Sequence, residues 1–218
     1  MNKDIKHHLT DELLMGYSAG TLPEAFNLMV ATHVSLCDTC RAQLEACDAI
    51  GGVLIDQTPT PLAVMSENSF AVTMAMISDL PPKSAPNLAH TSGVLPTPLQ
   101  DYVGGGLNAI KWRPIGMGAK QAVLRTSKQA TARLLFIPAG VAMPDHGHHG
   151  MEMTMVLQGA FQDEGDHFGR GDVEIADSEI EHTPMADLDE DCICLAVTDA
   201  PLRFKGLLPR IMQKFIGI

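Results

Sequence analysis

Apolar residues in the first eighty positions recur at helical spacing. Thr10 stands where an N-cap is needed, Asp11 and Glu12 fall in the first turn, and Leu13, Leu14 and Tyr17 form a stripe that ends at Gly20. A second helix follows: Thr21 and Glu24 have the spacing of a capping box, Pro23 sits in the first turn, and Phe26, Met29, Val30 and His33 share one face. A third is expected from Asp38 to a stop at Gly51-Gly52. After Pro59 and Pro61, Ser66 caps a fourth, whose stripe is Phe70, Met74, Ile77 and Leu80 and whose end is Pro81-Pro82.

Residues 81–100 hold five prolines among small and polar residues, the composition of a linker, and predict a domain boundary. Beyond it the period becomes two. KWRPIG, AVLRTS, ARLLFIPAG, EMTMVLQGAF, DVEIAD and CICLAV are short segments separated by Gly, Pro and Asp, as in a small β-barrel or sandwich. The expected organisation is a multi-domain α+β chain: an all-α helical bundle over 1–80, the linker, and an all-β barrel over 101–200. An apolar, basic tail, 201–218, with Arg203, Lys205, Arg210 and Lys214, is expected to pack on the barrel as a strand and a short helix.

Composition supports a folded chain and narrows its partners. Of 218 residues 45% are apolar and 19% charged, enough apolar surface to offset the entropy of folding. The net charge of −11 disfavours direct nucleic-acid binding, which needs Lys and Arg against phosphates, and suits a basic protein partner. Met1 to Leu14 carries Asp4, Asp11 and Glu12 and no apolar run, so neither a secretory signal nor a membrane segment is expected; the reading is cytoplasmic. Five cysteines, an odd number, then suggest metal or redox chemistry before disulfides.

Two constellations carry that chemistry. His33-x3-Cys37-x2-Cys40 places imidazole and first thiolate one helical turn apart, and the second thiolate where a short turn converges on one ion. Zinc fits paired thiolates with imidazole, and His7 or His8 can supply the fourth ligand; Cys47 reads as core. Three short helices make a thin core, to which a structural zinc adds on the order of 10 kcal/mol. In the second half, Gly140-x5-His146-x-His148-x3-Glu152-x6-Gly159 puts both imidazoles on one side of a strand, with Glu152 returning from the paired strand after a turn at 147–150 and His182 available as a fourth ligand. Three histidines and a glutamate suit zinc, iron, manganese or nickel.

The first constellation resembles the zinc-binding anti-sigma domain, which clamps an extracytoplasmic-function sigma factor with a helical bundle. That resemblance makes His8 the fourth ligand beside His33, Cys37 and Cys40. The second matches the first cupin motif at every defined position. The second cupin motif keeps Gly171 and His182, but has Asp177 where proline is usual, Glu179 where glycine is usual and Ala186 where asparagine is usual. Together the halves resemble the ChrR family of anti-sigma factors, which release their sigma factor in response to singlet oxygen. The resemblance implies zinc at His8, His33, Cys37 and Cys40; a metal, zinc or another divalent transition ion, at His146, His148, Glu152 and His182; and a paired-cysteine position at Cys192 and Cys194.

Cys192 and Cys194 lie in an alternating strand, so both thiols face one side, too far apart for a relaxed disulfide. They are either core residues or oxidation sensors. The alternative function is a metal-dependent cupin enzyme, a dioxygenase or isomerase with a helical accessory domain, for which Arg133, Gln158 and His167 are the substrate-facing candidates. A transcription factor binding DNA directly is disfavoured by the acidic charge.

Overall fold

A computed structural model of the chain describes residues 5–57, 66–79, 93–147, 149–177, 181–201 and 203–204, the last pair in backbone only. Helix α1 (Asp11–Ser18) starts where Thr10 Oγ1 accepts the Leu13 N–H at 3.4 Å, and Gly20, at φ +67°, turns the chain back. Helix α2 (Glu24–Val34) begins after Pro23 without the capping box. Thr21 donates to the Gly16 carbonyl instead, and the Glu24 carboxylate accepts from the Tyr102 hydroxyl at 2.9 Å and the Ser127 N–H at 2.6 Å. Two tertiary partners thus replace one local one.

Helix α3 (Asp38–Gln57) runs through Gly51 and Gly52, where a stop was expected. Neither glycine takes the positive φ that a left-handed C-cap requires, so the helical bonds continue at the modest cost of glycine's helix propensity. Helix α4 (Ser69–Ser78) is capped at Asn68, not Ser66, and none of its side chains is buried; Leu80 lies outside the described residues. Helix α5 (Thr97–Val103) starts inside the stretch expected to be linker, buries Leu99, and ends at Gly104 with φ +77°. Among the described residues no helix is long and apolar enough to cross a membrane.

The strands are β1 (Arg113–Gly116), β2 (Ala119–Val123), β3 (Thr131–Ile137), β4 (His146–Gly147), β5 (Glu152–Gln158), β6 (Ala160–Asp163), β7 (Asp166–Gly169), β8 (Val173–Ala176), β9 (Glu181–His182), β10 (Met185–Ala186), β11 (Cys192–Thr198) and β12 (Arg203–Phe204). They form a six-stranded sheet, β1-β2-β3-β11-β5-β8, and two three-stranded ones, β10-β6-β7 and β12-β4-β9, with every pairing antiparallel. Strand β2 begins at Ala119 and ends at Val123, two residues into the AVLRTS segment read as a strand. Of the tail, β12 pairs with β4; residues 205–218, and the helix expected there, lie outside the described residues.

The six-stranded sheet is buried on both faces at its centre, around β11, while the edge strand β1 is largely exposed. On one, Ile137, Val156, Cys192 and Cys194 join Phe161 and Phe168, whose rings stack with centroids 4.9 Å apart. On the other, Leu134, Met153, Met155, Leu157, Ile193, Leu195 and Val197 share a cluster with Leu13, Leu14, Phe26, Met29, Val30 and Leu99. Helix α2 packs directly on β3, β5 and β11. Each such Leu or Met, fully buried, contributes roughly 1.5–3 kcal/mol. The helical half therefore covers the outer face of the barrel half.

Candidate metal centres

At the end of α2 and the start of α3, four side chains converge. The ligand atoms of His8, His33, Cys37 and Cys40 all lie within 4.8 Å of one another. His33 Nε2 is 3.3 Å from Cys40 Sγ, and His8 Nδ1 is 3.3 Å from Cys37 Sγ and 3.6 Å from Cys40 Sγ. The helix spacing places His33 and Cys37 one turn apart, and Cys37 Sγ accepts the Cys40 N–H at 3.4 Å, which holds the thiolate turn tight. His33 is fully buried and donates from Nδ1 to the Gly171 carbonyl at 3.0 Å, so its Nε2 lone pair faces the thiols. Burial, against the opposing pull of that carbonyl, lowers the His33 imidazole to about 4 and keeps it neutral and ligand-ready. Burial likewise raises the Cys40 thiol to about 11, so a metal ion bound here would displace a proton.

The two histidines ahead of α1 divide their roles. His8 turns toward the sulfurs, whereas His7 turns toward the barrel, its ring 4.3 Å from Phe168 and its Nε2 3.5 Å from Asp166. Cys47 is not in the cluster and is only half-buried; its stretch of α3 carries no buried side chain, so it is not the core residue expected. Two thiolates and two imidazoles at tetrahedral reach are a donor set that fits a closed structural site.

The barrel interior holds a cavity of about 70 Å³. His146 and His182, paired in register between β4 and β9, project into it with their Nε2 atoms 3.2 Å apart. Each Nδ1 is already engaged: His146 with the Pro144 carbonyl at 2.9 Å and His182 with Asp163 at 2.6 Å. Both Nε2 atoms therefore address the same point, the arrangement by which outer partners orient metal-ligating imidazoles. Glu152 lines the same cavity from β5. It does not arrive from the strand paired with β4, as expected, because β4 pairs with β9 and β12 and belongs to a different sheet. His148 lies outside the described residues.

Two carboxylates near His182 were not legible in the sequence. Asp163, Glu174 and His182 lie close enough to share an ion, with Glu174 3.8 Å from His182 Nδ1. Burial opposes the charge on His182, but the Glu174 and Asp163 carboxylates outweigh it and raise the imidazole to about 9; burial raises Glu174 too. Arg133 is buried in the cavity wall, where desolvation lowers it and the nearby Glu152 charge partly compensates. Gln158 instead bonds the Asp191 carbonyl, and His167 pairs with Asp187 near the surface; neither lines the cavity. Cys192 and Cys194 share the inner face, their Sγ atoms in hydrogen-bond contact at 3.4 Å without a disulfide, and Cys194 lines the cavity. The Cys192 contact and burial raise the Cys194 thiol well above its ordinary value.

Residues 103–201 match the ChrR cupin-like domain family. The chain is 55% identical, over 98% of its length and 99% of the relative's, to the anti-sigma-E factor ChrR of Cereibacter sphaeroides. Its structure is similar to the crystal structure of Rhodobacter sphaeroides SigE in complex with the anti-sigma ChrR: 54% identity, TM-score 0.78, covering 89% of this chain and 99% of that one. Full-length identity at that level, on a helical half joined to a cupin-like barrel, means that the chain belongs to the ChrR family of anti-sigma factors, regulatory proteins rather than enzymes.

Proposed function

We propose that the chain sequesters an extracytoplasmic-function sigma factor in the cytoplasm through its helical half, residues 1–80, and gives it up on an oxidative signal, singlet oxygen, received by the cupin half, residues 101–200. The observation that carries this reading is the exposed apolar surface of two helices. Ile50, Val53, Leu54 and Ile55 on α3 and Phe70, Val72, Met74, Met76 and Ile77 on α4 are all exposed. Apolar side chains at this density on two helices of one chain mark a protein-binding surface. The net charge of −11 steers it toward a basic partner.

In this reading zinc at His8, His33, Cys37 and Cys40 ties α1, α2 and α3 together, supplying folding free energy that three short helices lack. A second ion, zinc or another divalent transition metal, is held by His146, His148, Glu152 and His182, with Asp163 fixing the His182 ring. Cys192 and Cys194, beside that site, are candidates for oxidation. The test is calorimetric titration of the purified chain with SigE, the partner in the similar complex, alongside transcription from a sigma-dependent promoter in vitro. One-to-one binding with loss of transcription is expected, reversed by singlet oxygen in the wild-type chain and not in His146→Ala. No binding and no inhibition would overturn the reading.

A further inference from the structure

The first metal centre is not built by the helical half alone. The turn Gly169–Val173 between β7 and β8, in the barrel, bonds to the residues around it. Asp172, buried in that turn, accepts the Lys6 N–H at 2.6 Å and the His7 N–H at 2.9 Å on Oδ1, and the Gly169 N–H at 2.8 Å on Oδ2. The Val173 N–H returns to the His7 carbonyl at 3.2 Å. These bonds hold the segment that ends in His8. One residue before Asp172, the Gly171 carbonyl accepts the His33 Nδ1–H and so sets which nitrogen faces the sulfurs.

The turn is stiff and close-fitting. The Gly171 N–H and the Asp172 carbonyl both bond Val156 on β5, at 2.8 and 3.1 Å. Gly171 has φ +93°, a conformation that strains any L side chain, and a Cβ there would press on the end of the Ile5 side chain at 2.6 Å. Two residues past Asp172, Glu174 lines the barrel cavity beside His182.

We infer that the cupin turn Gly169–Val173 is the outer shell of the His8–His33–Cys37–Cys40 centre, with Asp172 the residue that positions His8 and the Gly171 carbonyl the group that positions His33. Two of the four ligands are thus held by the barrel half, and ion retention in the helical half depends on the turn staying docked. By linkage, loss of the ion loosens the turn in equal measure. The inference deepens the proposed function, giving barrel and helices a physical point of coupling, and rests on reading the four side chains as a metal centre.

The test uses the full chain loaded with cobalt(II), whose thiolate charge-transfer band reports the cysteine-containing site and is absent when Cys37 and Cys40 are both replaced by serine. The rate at which excess chelator removes that band is measured. Outer partners of metal ligands contribute about 10- to 100-fold to metal affinity, so Asp172→Ala is expected to release cobalt faster by about that factor. Asp172→Asn, which keeps an acceptor for the Lys6 and His7 amides, recovers most of the loss. Gly159→Ala strains a different barrel turn, where φ is +69° and a Cβ would meet the Asp191 carbonyl oxygen at 2.7 Å. It leaves the rate near wild type.

Release from Asp172→Ala at the wild-type rate overturns the inference, as does equal acceleration by Gly159→Ala, which would mean general loosening. A wild-type chain without the band overturns the metal-centre reading and the inference with it. Should Asp172→Ala fail to fold, amide exchange in the wild-type chain decides: protection at Lys6, His7 and Val173 must rise on cobalt binding, and unchanged protection overturns the inference.

Discussion

Phe70→Ala separates a docking surface from a folding surface. Phe70 is 77% exposed on α4. Its truncation removes little from the free chain, so stability should stay within about 0.5 kcal/mol of wild type. Fully burying such a side chain contributes roughly 1.5–3 kcal/mol, and about three quarters of that surface is left for a partner to cover. The expected loss on binding is therefore about 1–2 kcal/mol, or about 5- to 30-fold in Kd. Phe26→Ala reverses the pattern: at 4% exposure its truncation opens the shared core and costs about 3–5 kcal/mol of stability. Titration calorimetry with SigE and urea unfolding on the same preparations read both quantities. A Phe70→Ala, Met74→Ala, Ile77→Ala triple variant that binds within about twofold of wild type would refute α4 as a docking helix.

Cys37→Ser should weaken the thiolate charge-transfer band and lower the urea midpoint of the helical half, followed by circular dichroism; an unchanged midpoint with full SigE binding would count against a structural ion. In the metal-free chain, burial lowers His33 to about 4 from an unfolded value near 6.5. The unfolded chain then takes up the extra proton first, so stability falls as pH drops from about 6.5 to about 4, by about 3 kcal/mol. Urea midpoints across that range check it, and a midpoint that does not move contradicts it. Asp163→Ala removes the acceptor at 2.6 Å from His182 and should weaken metal binding in the barrel about 10- to 100-fold while leaving the thiolate band intact. Metal titration of the variant followed by elemental analysis tests this.

The sequence announces its chemistry through spacing and hides what depends on distant partners. Thr10, Gly20 and the His33 face of α2 follow from local rules and are seen. The Thr21–Glu24 box fails because Tyr102 and Ser127, far along the chain, engage the carboxylate instead. Glycine-51 and -52 read as a stop only on the assumption that they take positive φ. A further signal lay in one strand itself: CICLAV is apolar at every position, not alternately, which is how a strand reads when both faces are covered. Burial of all seven residues of β11 is the outcome. Asp163 and Asp172 are ordinary turn carboxylates by sequence, and only the fold brings them to His182 and to the N-terminal segment.

Helix α2 answers to two surfaces at once. It carries His33 to the sulfurs, and it lies on β3, β5 and β11, with Phe26, Met29 and Val30 in the core shared with the outer sheet face. Its sequence is therefore constrained like that of a shared hinge pin. Enlarging Ala132 on β3, fully enclosed on that face, should be accepted during evolution only with a matching reduction on α2, so that barrel and bundle drift as a pair and a chimera joining halves of two distant homologues should fold poorly.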